Sequence, residues 1–145
     1  MANVERNAHV VWEGDLMKGS GSFSGGSGAL EDFPVNFASR VQRPDGKTSP
    51  EELIASAHAT CYAMALSNTL AENGTAPERL TVDAVCTLDD EQLKITTVDL
   101  NVQGQVPGLS DDEFEENARQ AEQVCPVSNA LRNNVEIKLN ASLEG

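Results

Sequence analysis

Positive charge is scarce in this chain: 10 lysines and arginines stand against 23 aspartates and glutamates, for a formal charge of -13. Nucleic-acid phosphates and anionic membrane surfaces are both held by basic patches, so neither is an expected partner. Histidine is scarcer still, with only His9 and His58, and no Cys-x-x-Cys pair occurs. A zinc site would need ligands the chain hardly offers, and neither a metal nor another cofactor is expected. The cysteines are three, Cys61, Cys86 and Cys125, an odd count at wide spacing that excludes a disulfide scaffold. No stretch approaches the roughly 18 unbroken apolar residues of a membrane span. The opening residues Met1-Ala2-Asn3-Val4-Glu5-Arg6 lack the basic start and apolar run of a signal peptide, so a cytoplasmic protein is expected. The glycine- and serine-rich stretch at 19–28 is followed by no Lys-Ser/Thr and no helical pattern, which reads as hairpin turns between short strands rather than a phosphate loop.

What is present fits one globular domain over residues 1–145: hydrophobic residues make up 39% and charged residues 23%. His9 to Glu13 reads as a strand, and Val35 to Val41 as another. A long helix starts at Ser49, a natural N-cap, with Pro50 at the first helical position and Glu52 to complete a capping box. It runs to about Asn73, where Gly74 is the expected stop. Its middle, from Ala55 to Leu70, is apolar around most of its circumference, which implies a central helix covered on several sides. Two alternating strands follow, one carrying Leu80, Val82, Ala84, Cys86 and Leu88 inward, the other Val98, Leu100, Val102 and Val106. A second helix is capped by Ser110 with Glu113, and Phe114, Ala118, Ala121 and Cys125 share one of its faces. Pro126 breaks it and opens a short helix through Leu131, and a last strand runs from Val135 to Leu143. The expected class is α+β: a mostly antiparallel sheet, a long central helix and a second helix.

The chemistry rests on the cysteines. Cys86, on the apolar face of a strand, reads as a small buried hydrophobe. Cys61 sits inside the long helix, on a stripe with Leu53, Ala57 and Met64, and could be a buried core thiol in the same way. Two features favour reactivity instead. Small residues surround Cys61 (Ala57, Ala59, Thr60, Ala63 and Ala65), and Pro126 breaks the second helix at Cys125, so two thiols on two helices could meet and part. A protein this acidic disfavours thiolate, so a reactive cysteine needs a local cation. Arg40 is the candidate, flanked by Phe37, Ala38 and Val41 close to the helix start. His58, three residues before Cys61, reads as packing or interface, because that spacing rarely aligns an imidazole on a thiol.

Four ordered segments carry a resemblance. Thr48-Ser49-Pro50-Glu51-Glu52-Leu53-Ile54-Ala55-Ser56-Ala57-His58-Ala59-Thr60-Cys61, then Val124-Cys125-Pro126-Val127-Ser128, then Trp12-Glu13-Gly14-Asp15 and Asn36-Phe37-Ala38-Ser39-Arg40, together resemble the osmotically inducible protein C and organic hydroperoxide resistance family. The last two favour the osmotically inducible branch. The resemblance implies a thiol peroxidase that acts on organic hydroperoxides, with hydrogen peroxide left open, in response to oxidative or osmotic stress. It implies an intertwined homodimer with active sites at the subunit interface. Cys61 would be the peroxidatic nucleophile, Cys125 the resolving thiol, Arg40 the activating cation and Glu51 its holder. A lipoyl group on a carrier protein is the implied reductant. Thr60 and Ser49 stand where alanine and asparagine are common, and neither change threatens a role.

Glu51 and Cys61 lie ten residues apart, about 15 Å along one helix, so both cannot touch one small substrate. Either Arg40 bridges the two or Glu51 comes from the partner subunit's antiparallel helix, and the second is the favoured expectation. Leu53, Met64 and Phe114 are expected to line a space for a hydroperoxide tail. The competing reading is a non-catalytic dimeric module that binds a lipoyl or other hydrophobic ligand while its cysteines are merely buried.

Overall fold

A computed structural model of the chain describes residues 3–144. They form an α+β fold of six strands and four helices, with the strands in two three-stranded sheets. The chain divides into two compact units, one ending at Leu53 and the other beginning at Ile54. No helix among the described residues is long and apolar enough to cross a membrane.

The first unit is built on strands β1 (Ala8–Glu13), β2 (Ser20–Gly25) and β3 (Phe33–Val35), paired antiparallel in chain order. Phe23 is its buried anchor and meets Phe33 edge-to-face at 5.6 Å. Every residue of β1 is exposed, with Val10, Val11 and Trp12 among them. The strand expected over Val35 to Val41 ends at Val35 itself and is followed by helix α1 (Phe37–Val41). The reason is local. The Asn36 side chain accepts from the Ser39 amide at 2.7 Å and the Asn36 amide donates to Ser39 Oγ at 3.2 Å, a reciprocal cap that nucleates one helical turn. The cap sets the backbone of Arg40.

Helix α2 (Pro50–Glu72) places its first turn in this unit and the rest in the second. Its N-terminus is as expected: the Ser49 hydroxyl accepts from the Glu52 amide at 3.1 Å. Gly74 follows its end at a φ of +89°, a left-handed conformation that suits glycine.

The second unit contains β4 (Arg79–Asp89), β5 (Lys94–Gln105), α3 (Asp111–Val124), α4 (Pro126–Leu131) and β6 (Glu136–Leu143). β4 and β5 pair antiparallel, whereas β5 and β6 pair parallel. A parallel partner needs a crossover, and α3 with α4 supplies it. Tyr62, Leu66 and Leu70 of α2, Val98, Leu100 and Val102 of β5, and Phe114 and Ala121 of α3 form the core. Gly104 admits the Phe114 ring: a Cβ there would lie 2.7 Å from two ring carbons.

The buried stripe of α2 differs from the expected one. His58, Tyr62, Leu66 and Leu70 are fully buried at successive intervals of four, while Ala57 and Met64 are exposed. Cys61 stands at the edge of that stripe, partly buried. The face predicted for α3 is the one that packs: Phe114, Ala118, Ala121 and Cys125 are all fully buried.

Candidate functional site

The sequence-predicted residues come together as two pairs. Cys61 and Cys125, both reduced, are the first. Cys125 closes α3 and opens α4, with an extended backbone (φ -72°, ψ 117°) between the two helices. Pro126 forces that break because it can neither donate to α3 nor let the preceding residue stay helical. The turn leaves Cys125 in the buried cluster against which Cys61 packs, close enough for the two thiols to influence each other. Cys125 is fully buried. The Cys61 thiol titrates above the usual range: burial raises it most, the Val127 backbone contact lowers it, and the Cys125 thiol raises it again.

Arg40 and Glu51 are the second pair, and both belong to the first unit. Arg40 Nε donates to Glu51 Oε1 at 3.0 Å and Nη2 donates to Oε2 at 2.9 Å, a bidentate bridge. Glu51 is buried and the Arg40 side chain is 38% exposed. The bridge closes within one chain, which overturns the expectation that Arg40 takes Glu51 from a partner subunit. Residues 40 and 51 meet because α1 ends one residue past Arg40 and a short loop returns the chain to the start of α2. The bridge uses one edge of the guanidinium, Nε and Nη2, and leaves Nη1 outside it.

Arg40 also lines an apolar cleft of about 370 Å³ within the first unit, with Val10, Trp12, Leu16, Phe37 and Leu53 in its walls. The three residues expected to line a space for a hydroperoxide tail, Leu53, Met64 and Phe114, do not share one cleft. Leu53 lines the cleft, whereas Phe114 is locked in the core and Met64 is 69% exposed.

His58, expected to serve packing or an interface, is fully buried, and it has a partner the sequence does not disclose. Its Nε2 lies 2.7 Å from Ser128 Oγ, and Ser128 is also fully buried. Nδ1 has no hydrogen-bond partner. Burial holds the imidazole below its usual pKa, against the opposing field of Glu122. The available signal was a shared spacing: His58 precedes Cys61 by three, and Cys125 precedes Ser128 by three. Glu122 is itself buried and bound by Arg132, at 2.7 and 3.0 Å from Nη1. Cys86 is partly buried against the core, as a strand hydrophobe should be.

Two free thiols, one on a long helix and one at a proline break, thus lie together in an α+β fold of two sheets. The chain matches the OsmC-like protein family over residues 43–140 and belongs to that family. It is 37% identical to the peroxiredoxin OsmC of Escherichia coli K12 over 143 residues, 97% of this chain and 98% of that protein. Among solved structures, the organic hydroperoxide resistance protein OsmC of Legionella pneumophila superposes with a TM-score of 0.73 at 25% identity, covering 98% and 99% of the two chains. The OhrB organic hydroperoxide resistance protein of Bacillus subtilis does so with a TM-score of 0.70 at 26% identity, covering 94% and 98%.

Proposed function

We propose that residues 1–145 work as one thiol peroxidase domain that reduces organic hydroperoxides, with hydrogen peroxide as a smaller substrate. The contact between Cys61 and Cys125 carries this reading. The Cys61 thiolate attacks the terminal peroxide oxygen. The S–O bond forms, the O–O bond breaks, and the alkoxide takes a proton and leaves as alcohol. Cys61 is oxidised by two electrons to the sulfenic acid. Cys125 Sγ then attacks Cys61 Sγ. The disulfide forms, the S–O bond breaks, and the hydroxide takes the Cys125 proton and leaves as water. A dithiol, for which a lipoyl group on a carrier protein is the proposed source, reduces the disulfide and completes the cycle.

Arg40 is assigned to stabilise the thiolate and the leaving oxygen, and Glu51 to hold Arg40. The raised Cys61 thiol makes that assignment necessary, since burial and net charge both oppose the thiolate. The apolar cleft beside Arg40 suits the organic part of the substrate. We further propose a homodimer, which would cover the exposed apolar residues of β1 and the exposed Met64 of α2.

The test is thiol counting on the reduced protein mixed with an alkyl hydroperoxide. Cys61→Ser should consume no peroxide, and Cys125→Ser should complete one turnover and then stall or over-oxidise. Full activity in Cys61→Ser would overturn the assignment. A non-catalytic module that binds a hydrophobic ligand is the second reading, favoured by the apolar cleft together with the raised thiol. It requires Cys61 to stay inert to peroxide at neutral pH.

A further inference from the structure

Two residues outside that mechanism are placed to serve it. Cys61 and His58 stand three apart on α2, so their side chains leave neighbouring points of one helical surface. Cys125 and Ser128 stand three apart across the start of α4. The two pairs face each other. Cys61 meets Cys125, and one turn away His58 Nε2 meets Ser128 Oγ at 2.7 Å. The thiol contact is therefore flanked by a buried hydrogen bond between the same two segments.

Cys125 is the N-cap of α4. Its carbonyl accepts the first hydrogen bond of that helix, from the Asn129 amide at 2.9 Å. Whatever holds Ser128 therefore holds Cys125. His58 has one polar anchor: Nε2 is engaged by Ser128, and Nδ1 is buried with no hydrogen-bond partner. A buried imidazole in this state is costly and is easily replaced by an apolar side chain where only packing is needed. Both members of the bond are fully buried, so water does not compete with it.

We propose that His58 and Ser128 are positioning residues for disulfide formation: their hydrogen bond pins α4 to α2 and keeps the Cys125 sulfur in attacking position on the oxidised Cys61. The proposal rests on the peroxidase reading above. Its chemistry is the resolution step as written there, with water as the leaving product and no further oxidant or reductant. His58 touches no reacting atom. It raises the effective concentration of one sulfur at the other. When Cys61 carries its sulfenic oxygen, the thiol–thiol contact is lost and the His58–Ser128 bond remains as the local tie.

Stopped-flow mixing of reduced protein with one equivalent of alkyl hydroperoxide separates the two steps, with peroxide loss reporting the first and disulfide formation the second. Ser128→Ala deletes one oxygen and should leave peroxide loss at the wild-type rate while slowing disulfide formation by about tenfold, the usual worth of one buried hydrogen bond. Under excess peroxide it should gain 32 Da at Cys61, the sulfinic acid, in more molecules than wild type. His58→Leu should behave alike, and His58→Gln, whose amide nitrogen can reach the Ser128 oxygen, should recover most of the rate. A merely structural role would not give rescue by glutamine together with an intact first step. If His58→Leu does not fold, Ser128→Ala decides alone. Wild-type disulfide formation in Ser128→Ala overturns the proposal. Failure of the wild-type protein to consume peroxide overturns the peroxidase reading instead.

Discussion

Tyr62 follows Cys61 directly and ties the same helix to the segment that leads into Cys125. Its hydroxyl donates to the Ala118 carbonyl of α3 at 2.8 Å, and the residue is fully buried. Tyr62→Phe keeps the ring and deletes that oxygen. The lost hydrogen bond and the buried carbonyl left without it together cost about 2 kcal/mol at pH 7. A second signature separates this from ordinary packing loss. Burial, and then the fields of Glu122 and Cys125, push the phenol far above its usual value of 10.0. The folded state therefore holds the proton that the unfolded state gives up above pH 10. A pKa raised on folding contributes stability that is complete below the unfolded value and declines as pH rises towards the folded one. With Tyr62 still protonated in the folded state, wild type forfeits about 0.8 kcal/mol of its advantage by pH 10.5. Tyr62→Phe forfeits none of it. Urea melts of both proteins at pH 7 and pH 10.5 should therefore show a difference that shrinks from about 2 to about 1 kcal/mol. Other groups titrate alike in both proteins and cancel. A difference that stays constant with pH, or that starts below about 0.5 kcal/mol, would refute the argument that this hydroxyl is bonded and buried.

Gly104→Ala should destabilise the second unit by about 1–3 kcal/mol, because the new methyl would meet the Phe114 ring at 2.7 Å and Leu80 at 3.2 Å. Thermal melting checks this, and the companion change Phe114→Leu should recover part of the loss. Glu51→Gln keeps the shape of the acid but removes its charge and one of the two oxygens that accept from Arg40, so the bidentate bridge is lost. Under the proposed mechanism, reaction of Cys61 with peroxide should slow by roughly tenfold. Stability should move by less than about 1 kcal/mol because Arg40 is well solvated. Stopped-flow thiol loss and a melt on the same sample test both halves.

Features that depend on a few neighbouring residues were the legible ones. Ser49, Pro50 and Gly74 bounded α2, and the four-residue face of α3 was correct because polar residues interrupt it and give the pattern a phase. α2 itself has almost no polar interruption, so its apolar pattern marked a helix but not the side that packs. The pattern points to Leu53, Ala57 and Met64, whereas His58, Tyr62, Leu66 and Leu70 are the fully buried residues. The five residues of α1 carry too short a period to register, and only the Asn36–Ser39 cap marks them. The parallel pairing of β5 with β6 left no trace, because strand alternation has a period but no direction. The partner of His58 lies 70 residues away, beyond any local pattern.

The two pairs make opposite electrostatic demands, and this bears on how the proposed mechanism could work. Cys61 lies in a setting that favours the neutral thiol, through burial and through the Cys125 thiol beside it. Arg40 is held by a carboxylate that offsets much of its charge at a distance. The pair is therefore a weak long-range cation, and only close approach of the free Nη1 edge can favour a thiolate. Under the proposed mechanism a reactive thiolate needs the Arg40 edge beside Cys61, because a protein of charge -13 supplies no diffuse positive field to substitute. On the proposed reading, reactivity is consequently local and tied to geometry. Raising ionic strength should alter peroxide reduction little, since a contact of that kind is much shorter than the roughly 8 Å screening length at physiological salt.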